Sequence, residues 1–386
     1  PMTVVLEVVF WLCCALIVWT QLGYGAALAA LARVLRRPPA ASRPPAQLPS
    51  LSLIVAAHDE ESVIAAKVEN ALALDYPREL LEVIVACDGC ADETAERARG
   101  AGADIVLELA RGGKIRAQDA AVERARGEIV AFSDANSVWE PDAATELVAA
   151  FADPRVGYAC GQLRYLPGAA ADGRALPSQE GVYWRYELAV RALESRLSSI
   201  TAGNGGIYAT RRESYLVVDP IMGHDLSLPF NTVKRGKRAV YAPAARAAEK
   251  MVPSMAGEFA RKRRMMSHTW PIVVRGGMLS PRGYPPGYAL MIFSHRLLRY
   301  ATPALHVLAL AANIALVARG SGVVYVVTLD LQLALLLAAA LAGIVRLRVL
   351  LIARYYVLTT ASLAAGFWDW LAHGTDATWT AAEGTR

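Results

Sequence analysis

Apolar positions are unevenly spread along the 386-residue chain. From Val4 to about Ala32 the run is almost unbroken, with Glu7 as its single charge. Roughly 20 apolar residues in a helix cross a hydrocarbon core, so this run is long enough to span one. Two more such runs lie at about Tyr300 to Val317 and Val323 to Val345. A fourth, Leu350 to Leu371, carries Arg354, Asp369 and several Trp and Tyr, and reads equally as a span or as a helix lying in the interface. Between the first run and the others the pattern changes. Leu51–Ala57, Leu81–Ala86, Ile105–Leu109 and Glu128–Phe132 are short apolar runs of strand length. Helical spacing comes after each of the first three: Val63, Ile64, Val68 and Leu72, then a segment opening at Asp92-Glu93-Thr94, then Lys114 through Ala125. This alternation predicts an α/β domain whose mostly parallel sheet is covered on both faces.

The resulting division is an N-terminal membrane helix (1–36), a Pro- and Ala-rich linker (37–48), an α/β domain (49–253), an interfacial segment (254–298), C-terminal membrane helices (299–372) and a tail (373–386). Basic residues orient it. Arg33, Arg36, Arg37 and Arg43 follow the first run, Arg296 and Arg299 precede the second, and Arg346 and Arg348 follow the third. The positive-inside rule then puts the N-terminus and the Arg319-Gly320-Ser321-Gly322 turn outside and the α/β domain on the cytoplasmic face. The first run is too long for a cleaved leader, and its basic residues come after it rather than before.

Composition agrees with this mixture. Apolar residues make up 55% and mean hydropathy is +0.30, yet 19% of residues are charged. A net charge of +5 is no nucleic-acid footprint, and it fits anionic headgroups or phosphorylated ligands. Five cysteines (Cys13, Cys14, Cys87, Cys90 and Cys160) form no disulfide framework, and a lone Cys-x-x-Cys is a poor zinc site. Nothing suggests a Ser-His-Asp triad or a Walker-type phosphate loop.

Polar residues recur just past the strand candidates: His58-Asp59-Glu60-Glu61, Asp88-Gly89, Gly112-Gly113-Lys114 and Ser133-Asp134. One such Asp alone is as readily a helix cap. Several together mark the carboxyl edge of an open sheet, where ligands bind. A sugar nucleotide needs acceptors for its base and ribose, positive charge or a cation at its diphosphate, and a base for the incoming hydroxyl. Asp88, Lys114, Asp134 and, in Gly223-His224-Asp225-Leu226, Asp225 are candidates for those tasks.

The ordered set Ala56-Ala57-His58-Asp59-Glu60, Asp88-Gly89-Cys90-Ala91-Asp92, Gly113-Lys114, Phe132-Ser133-Asp134-Ala135-Asn136, Gly203-Asn204-Gly205-Gly206, His224-Asp225-Leu226 and Arg261-Lys262-Arg263-Arg264 resembles family 2 glycosyltransferases. The resemblance is to their membrane-integrated branch, the cellulose, hyaluronan and poly-N-acetylglucosamine synthases. It implies a GT-A (Rossmann-like) domain with flanking transmembrane and interfacial helices. It implies a donor site of Ala57, His58, Glu60, Asp88, Lys114, Asp134 and Arg264, and a Mg2+ or Mn2+ ion on Asp134 and Asn136. Asp225 would be the general base of an inverting transfer, with Gly203, Asn204, Gly205, His224 and Trp270 at the acceptor. The expected activity is transfer from UDP-glucose or UDP-N-acetylglucosamine to a growing polysaccharide at the cytoplasmic face of a bacterial-type inner membrane. A single transfer to a polyprenyl phosphate or glycolipid is the alternative, and a non-catalytic nucleotide-sugar-binding scaffold is a reading from another class. With so few spans, a small membrane subunit or a second copy would complete a pore, and no nucleic-acid partner is expected.

Three departures from the family pattern stand out. Asn136 replaces the second Asp of Asp-x-Asp, His224 replaces the usual Glu before the base, and Gln-x-x-Arg-Trp is not intact, with Trp270 displaced. A protonated His224 would lower the basicity of Asp225. Arg261 to Arg264, with Met255, Phe259, Met265 and Met266 nearby, reads both as an amphipathic headgroup-facing helix and as the source of Arg264 at the diphosphate. The Tyr183-Trp184-Tyr186 cluster is expected in a helix core, and His295 as a packing or headgroup residue.

Overall fold

A computed structural model describes residues 2–35, 47–166, 179–250, 255–345 and 347–377. The predicted linker lies almost wholly outside these, as does Arg346.

The chain opens with two apolar helices, α1 (Met2–Val18) and α2 (Tyr24–Val34), continuous through a π-helical turn at Trp19–Gly23. β1 (Leu51–Ala57), α3 (Ile64–Leu72), β2 (Leu81–Asp88), α4 (Thr94–Gly100), β3 (Ile105–Leu109), α5 (Lys114–Arg124) and β4 (Ile129–Asp134) then alternate as the apolar pattern predicts. The domain continues with β5 (Val138–Trp139), α6 (Ala143–Ala149), β6 (Val156–Leu166), α7 (Gln179–Leu197), β7 (Tyr208–Arg211), α8 (His224–Lys234) and β8 (Arg238–Lys250). After it come α9 (Met255–Val274), α10 (Pro286–Met291), α11 (Leu298–Ala318), α12 (Val323–Leu341) and α13 (Arg348–His373).

Among the described residues, eight strands lie in the order β3-β2-β1-β4-β7-β6-β8-β5. The first four are parallel, β7 runs antiparallel to both β4 and β6, β8 is parallel to β6, and β5 is antiparallel to β8. Every residue of β1 and β2 is buried, as expected of strands covered on both faces. Alternate residues feed two cores: Ile54, Ile84 and Phe132 pack with Ala117, Ala121 and Phe230, whereas Leu53, Val83 and Ala131 pack with Ala144, Leu147 and Val148. The register of the parallel strands aligns their ends. Ala57 pairs with Cys87 and Ala56 with Asp134, so the residues after β1, β2 and β4 emerge along one edge.

Among the described residues, four helical units are long and apolar enough to cross a membrane: Met2–Val34, Pro286–Ala318, Val323–Leu341 and Arg348–His373. The second begins well before the expected Tyr300, running back through a π-helical turn (Ile292–Leu297) to Pro286. Arg296 and Arg299, read from sequence as a basic flank, therefore sit inside it and are buried. The last, left open between span and interfacial helix, is one unbroken helix of 26 residues. It packs on α9 at Gly366, where a Cβ would lie 2.5 Å from Met266 Cβ and 2.6 Å from the Arg263 carbonyl.

Candidate active site

The site grows from the aligned ends of β1, β2 and β4. Asp88, the last residue of β2, is 1% exposed. Its carboxylate accepts the backbone N–H of Gly112 at 2.6 Å and of Gly113 at 3.0 and 3.1 Å. Its acceptor capacity is therefore turned largely onto the glycine turn that opens α5. Gly113 needs its glycine: φ is +95°, and a Cβ there would collide with the carbonyl of Ala377. His58 leans on the same strand end, its Nδ1 2.8 Å from the Asp88 carbonyl, and its other ring nitrogen meets Arg111. Ala57 closes β1, its carbonyl 3.5 Å from Cys90 Sγ, and Glu60 is buried beside Thr94, whose Oγ1 accepts its N–H at 2.8 Å.

Pinning that turn places Lys114, which forms an ion pair with Asp134 at the end of β4. Burial works against the ammonium, but Asp134, with Asp225 and Glu249 behind it, outweighs burial and holds Lys114 above the ordinary lysine range. Asn136 lies in the turn that Ser137 closes onto the Asp134 carbonyl at 3.1 Å, and is not among the cavity-lining residues. A second acidic group comes instead from β8. Burial, then the charge of Asp134, pushes Glu249 up to about 7, and its buried Oε1 has no hydrogen-bond partner. Two hard carboxylates converging on one space, one with an orphaned oxygen, are the donor set that Mg2+ or Mn2+ takes. Glu249 was missed from the sequence because it stands 115 positions after Asp134 in a strand of alanines.

Asp225 lies in the first turn of α8 and faces the same cavity. Burial raises its pKa, with Lys114 opposing. His224 beside it is neutral. Burial, then the charge of Lys114, drives it down to about 3, and its ring sits between the hydroxyls of Tyr208 (2.9 Å) and Tyr215 (3.3 Å). A neutral His224 takes nothing from the basicity of Asp225. The Gly203-Asn204-Gly205-Gly206 loop forms the facing wall. Gly203 donates its N–H to the Asp225 carbonyl at 2.7 Å, and a Cβ on Gly205 would lie 3.3 Å from Asp134 Oδ2 and 3.6 Å from Lys114 Nζ. The Asn204 amide is engaged at both ends with backbone, donating to Gly161 at 2.8 Å and accepting from Ile207 at 2.9 Å. It shapes the loop.

Lys114, Asp134, Gly203, Asn204, Gly205, His224, Asp225 and Glu249 share a cavity of about 560 Å³ that runs on to Arg264 of α9, Arg299 and Tyr300 of α11, and Tyr355 and Thr359 of α13, whereas Ala57, His58, Glu60 and Asp88 do not line it. Trp270 does not reach it: its ring packs 6.1 Å from Tyr300 and 4.6 Å from Phe367 (centroid distances), in the seam between three helices. Trp184 and Tyr186 both pack against cores, as expected, and Trp184 also lines the cavity with Tyr165. The side chain of Tyr183 is outside the described residues. His295 is buried in a polar knot: its Nδ1 meets Glu194 at 2.7 Å and its Nε2 Glu187 at 3.3 Å, while Tyr24 of α2 donates to Glu194 at 2.7 Å. That knot fixes the apolar helices to α7 and to the loop leading to Gly203.

The sequence model of the family described as glycosyltransferase like family 2 matches residues 49–267. An N-acetylglucosaminyltransferase of Mesorhizobium japonicum is 28% identical over 252 residues, covering 58% of this chain and 57% of that protein. A beta-monoglucosyldiacylglycerol synthase of Synechocystis is 30% identical over 176 residues, covering 40% and 35%. The chain thus spans little more than half, or less, of the length of these curated relatives. Among solved structures, the mannosyltransferase PcManGT from Pyrobaculum calidifontis, in complex with GDP-Man and Mn2+, superposes with a TM-score of 0.74 at 23% identity, over 95% of this chain and 99% of that one. At that identity the likeness speaks for the fold.

Proposed function

The chain belongs to the family 2 glycosyltransferases, and from that premise we propose that it transfers a single sugar from a nucleotide-sugar donor to an amphiphilic acceptor entering from the bilayer. The observation that carries this reading is the continuity of one cavity from Lys114, Asp134 and Asp225 to side chains of α11 and α13. An acceptor anchored in lipid reaches Asp225 through that opening without leaving the membrane surface.

In this reading the four apolar helices cross the membrane and the α/β domain lies on its cytoplasmic face. Lys114 at the start of α5 meets the donor diphosphate, and Arg264 approaches from α9. His58, Glu60 and the end of β2 border the base and ribose. Asp134 and Glu249 would hold a divalent cation, which would neutralise charge on the departing diphosphate. Asp225 takes the proton of the acceptor hydroxyl as its oxygen attacks the anomeric carbon opposite the leaving group, inverting that centre. Glucose and N-acetylglucosamine are the sugars to try first, since the relatives' names carry them.

The test is incubation of the purified chain, in vesicles of total bacterial lipid, with labelled UDP-glucose or UDP-N-acetylglucosamine and Mg2+ or Mn2+. A lipid-extractable product one sugar larger than its acceptor is expected. A long polymer would sink the single-transfer reading, and absence of nucleotide release from a full panel of donors would sink the enzymatic one.

A further inference from the structure

Arg191 has no role in the chemistry described so far. It lies on α7, 5% exposed, with its guanidinium 5.9 Å from the ring centroid of Trp184 and 5.8 Å from that of Tyr241. One nitrogen donates to the Gly203 carbonyl at 3.1 Å. Nε and Nη1 are buried with no hydrogen-bond acceptor, and among the described residues no carboxylate pairs with the group. Glu187, one turn earlier on the same helix face, is engaged by Arg299 and His295. A buried guanidinium left this way is expensive unless something supplies the missing oxygens.

Its surroundings say where they come from. Arg191 lines the cavity, and the residue it holds, Gly203, donates in turn to the Asp225 carbonyl at 2.7 Å. The base and the guanidinium are thus joined through one residue. Arg296 and Arg299 of the second apolar helical unit and Tyr355 and Thr359 of the last line the same cavity, with Glu187 paired to Arg299. A planar fork with two unpaired N–H-bearing nitrogens, set beside aromatic rings in this cavity, matches a phosphate oxyanion.

We propose that Arg191 binds a phosphate group carried by the lipid acceptor, with the apolar chain leaving between α11 and α13 and the accepting hydroxyl at Asp225. This deepens the proposed function and rests on it. It makes the acceptor an anionic lipid rather than a neutral glycolipid.

The experiment measures binding to the full-length protein in detergent, with no turnover, of farnesyl phosphate, farnesol and farnesoic acid, and of UDP with Mn2+ in parallel. Wild type should bind farnesyl phosphate well above the other two amphiphiles. Arg191→Gln should weaken that binding about tenfold to a hundredfold and leave UDP affinity unchanged, which also reports that the variant is folded. Arg191→Lys, which keeps the charge but not the fork, should fall between, and it decides the matter if the Gln variant does not fold. Undiminished farnesyl phosphate binding in the folded variant, equal binding of farnesoic acid, or a parallel fall in UDP affinity would each overturn the proposal. Because no transfer is read, this result stands apart from the test of enzymatic activity.

Discussion

The carboxylate of Asp88 and the backbone amide of Gly113 meet at 3.0 and 3.1 Å, joining the end of β2 to the start of α5. This contact fixes the turn from which Lys114 reaches Asp134. Asp88→Ala would leave the part-buried Gly112 amide and the buried Gly113 amide without their acceptor, at about 1–3 kcal/mol for the buried one. The expected result is a loss of nucleotide-sugar affinity of about tenfold or more, with thermal stability also lowered. Titration of UDP binding beside a melting curve checks it. Unchanged affinity would mean that the turn holds its shape without Asp88.

Asp225→Asn should remove transfer by a factor of about a hundred or more while nucleotide affinity holds. The pH profile gives a second check. Burial raises the Asp225 pKa, and the group must be ionised to accept a proton. The acid limb of kcat should therefore lie above the range of an ordinary aspartate, near 3.9 on model compounds, with activity falling as pH drops through the raised value. His224, neutral with its pKa down at about 3, adds no limb near neutrality. A limb that moves in His224→Gln but not elsewhere would contradict this.

The first half of the α/β domain was legible because its strands are continuous apolar runs and its site residues follow them directly. Strand ends put Asp88 and Asp134 on one edge, and short-range order alone locates them. The acceptor side was less legible. Asn204 looks free in Gly-Asn-Gly-Gly, but its amide is engaged with the backbone of Gly161 and Ile207, the former 43 positions away. Glu249 and Arg191 become site residues only through the β6–β8 pairing and the docking of α7, both long-range events. A signal did exist for α7: Trp184, Glu187, Arg191 and Glu194 recur at helical spacing, placing three charges on one face beside an aromatic. Such a face is seldom buried unless it meets other charges, and Arg296 and Arg299 supply them from inside an apolar run.

Glu249→Gln tests the cation site. The substitution keeps size and removes the charge that faces Asp134. If Glu249 shares the ion, the Mn2+ concentration for half-maximal activity should rise about tenfold to a hundredfold, with UDP affinity in the absence of metal little changed. Asn136→Ala, at a side chain outside the cavity lining, should move the Mn2+ requirement less. The reverse ranking would return the ion to the Asp-x-Asn pair. Chelation with EDTA should stop transfer in the wild type and restore it on adding Mn2+.

Gly366 tests how α13 is held against α9. A Cβ at this position would stand 2.5 Å from Met266 Cβ and 2.6 Å from the Arg263 carbonyl, so the helix backbones are in direct approach. Small residues permit such crossings between apolar helices. Gly366→Leu must push the helices apart, a cost of about 1–3 kcal/mol by analogy with overpacked cores. One turn away, the Arg263–Asp369 pair bridges the same helices at 2.6 Å, but the arginine is 47% exposed. A pair so open to solvent contributes little to stability. Gly366→Leu should therefore lower the melting temperature clearly, and Asp369→Asn only slightly. Because α9 carries Arg264 and α13 carries Tyr355 and Thr359, the glycine variant should also widen the cavity mouth and reduce transfer more than it reduces nucleotide binding. If Asp369→Asn proves the more damaging, the ion pair rather than close backbone packing sets the crossing.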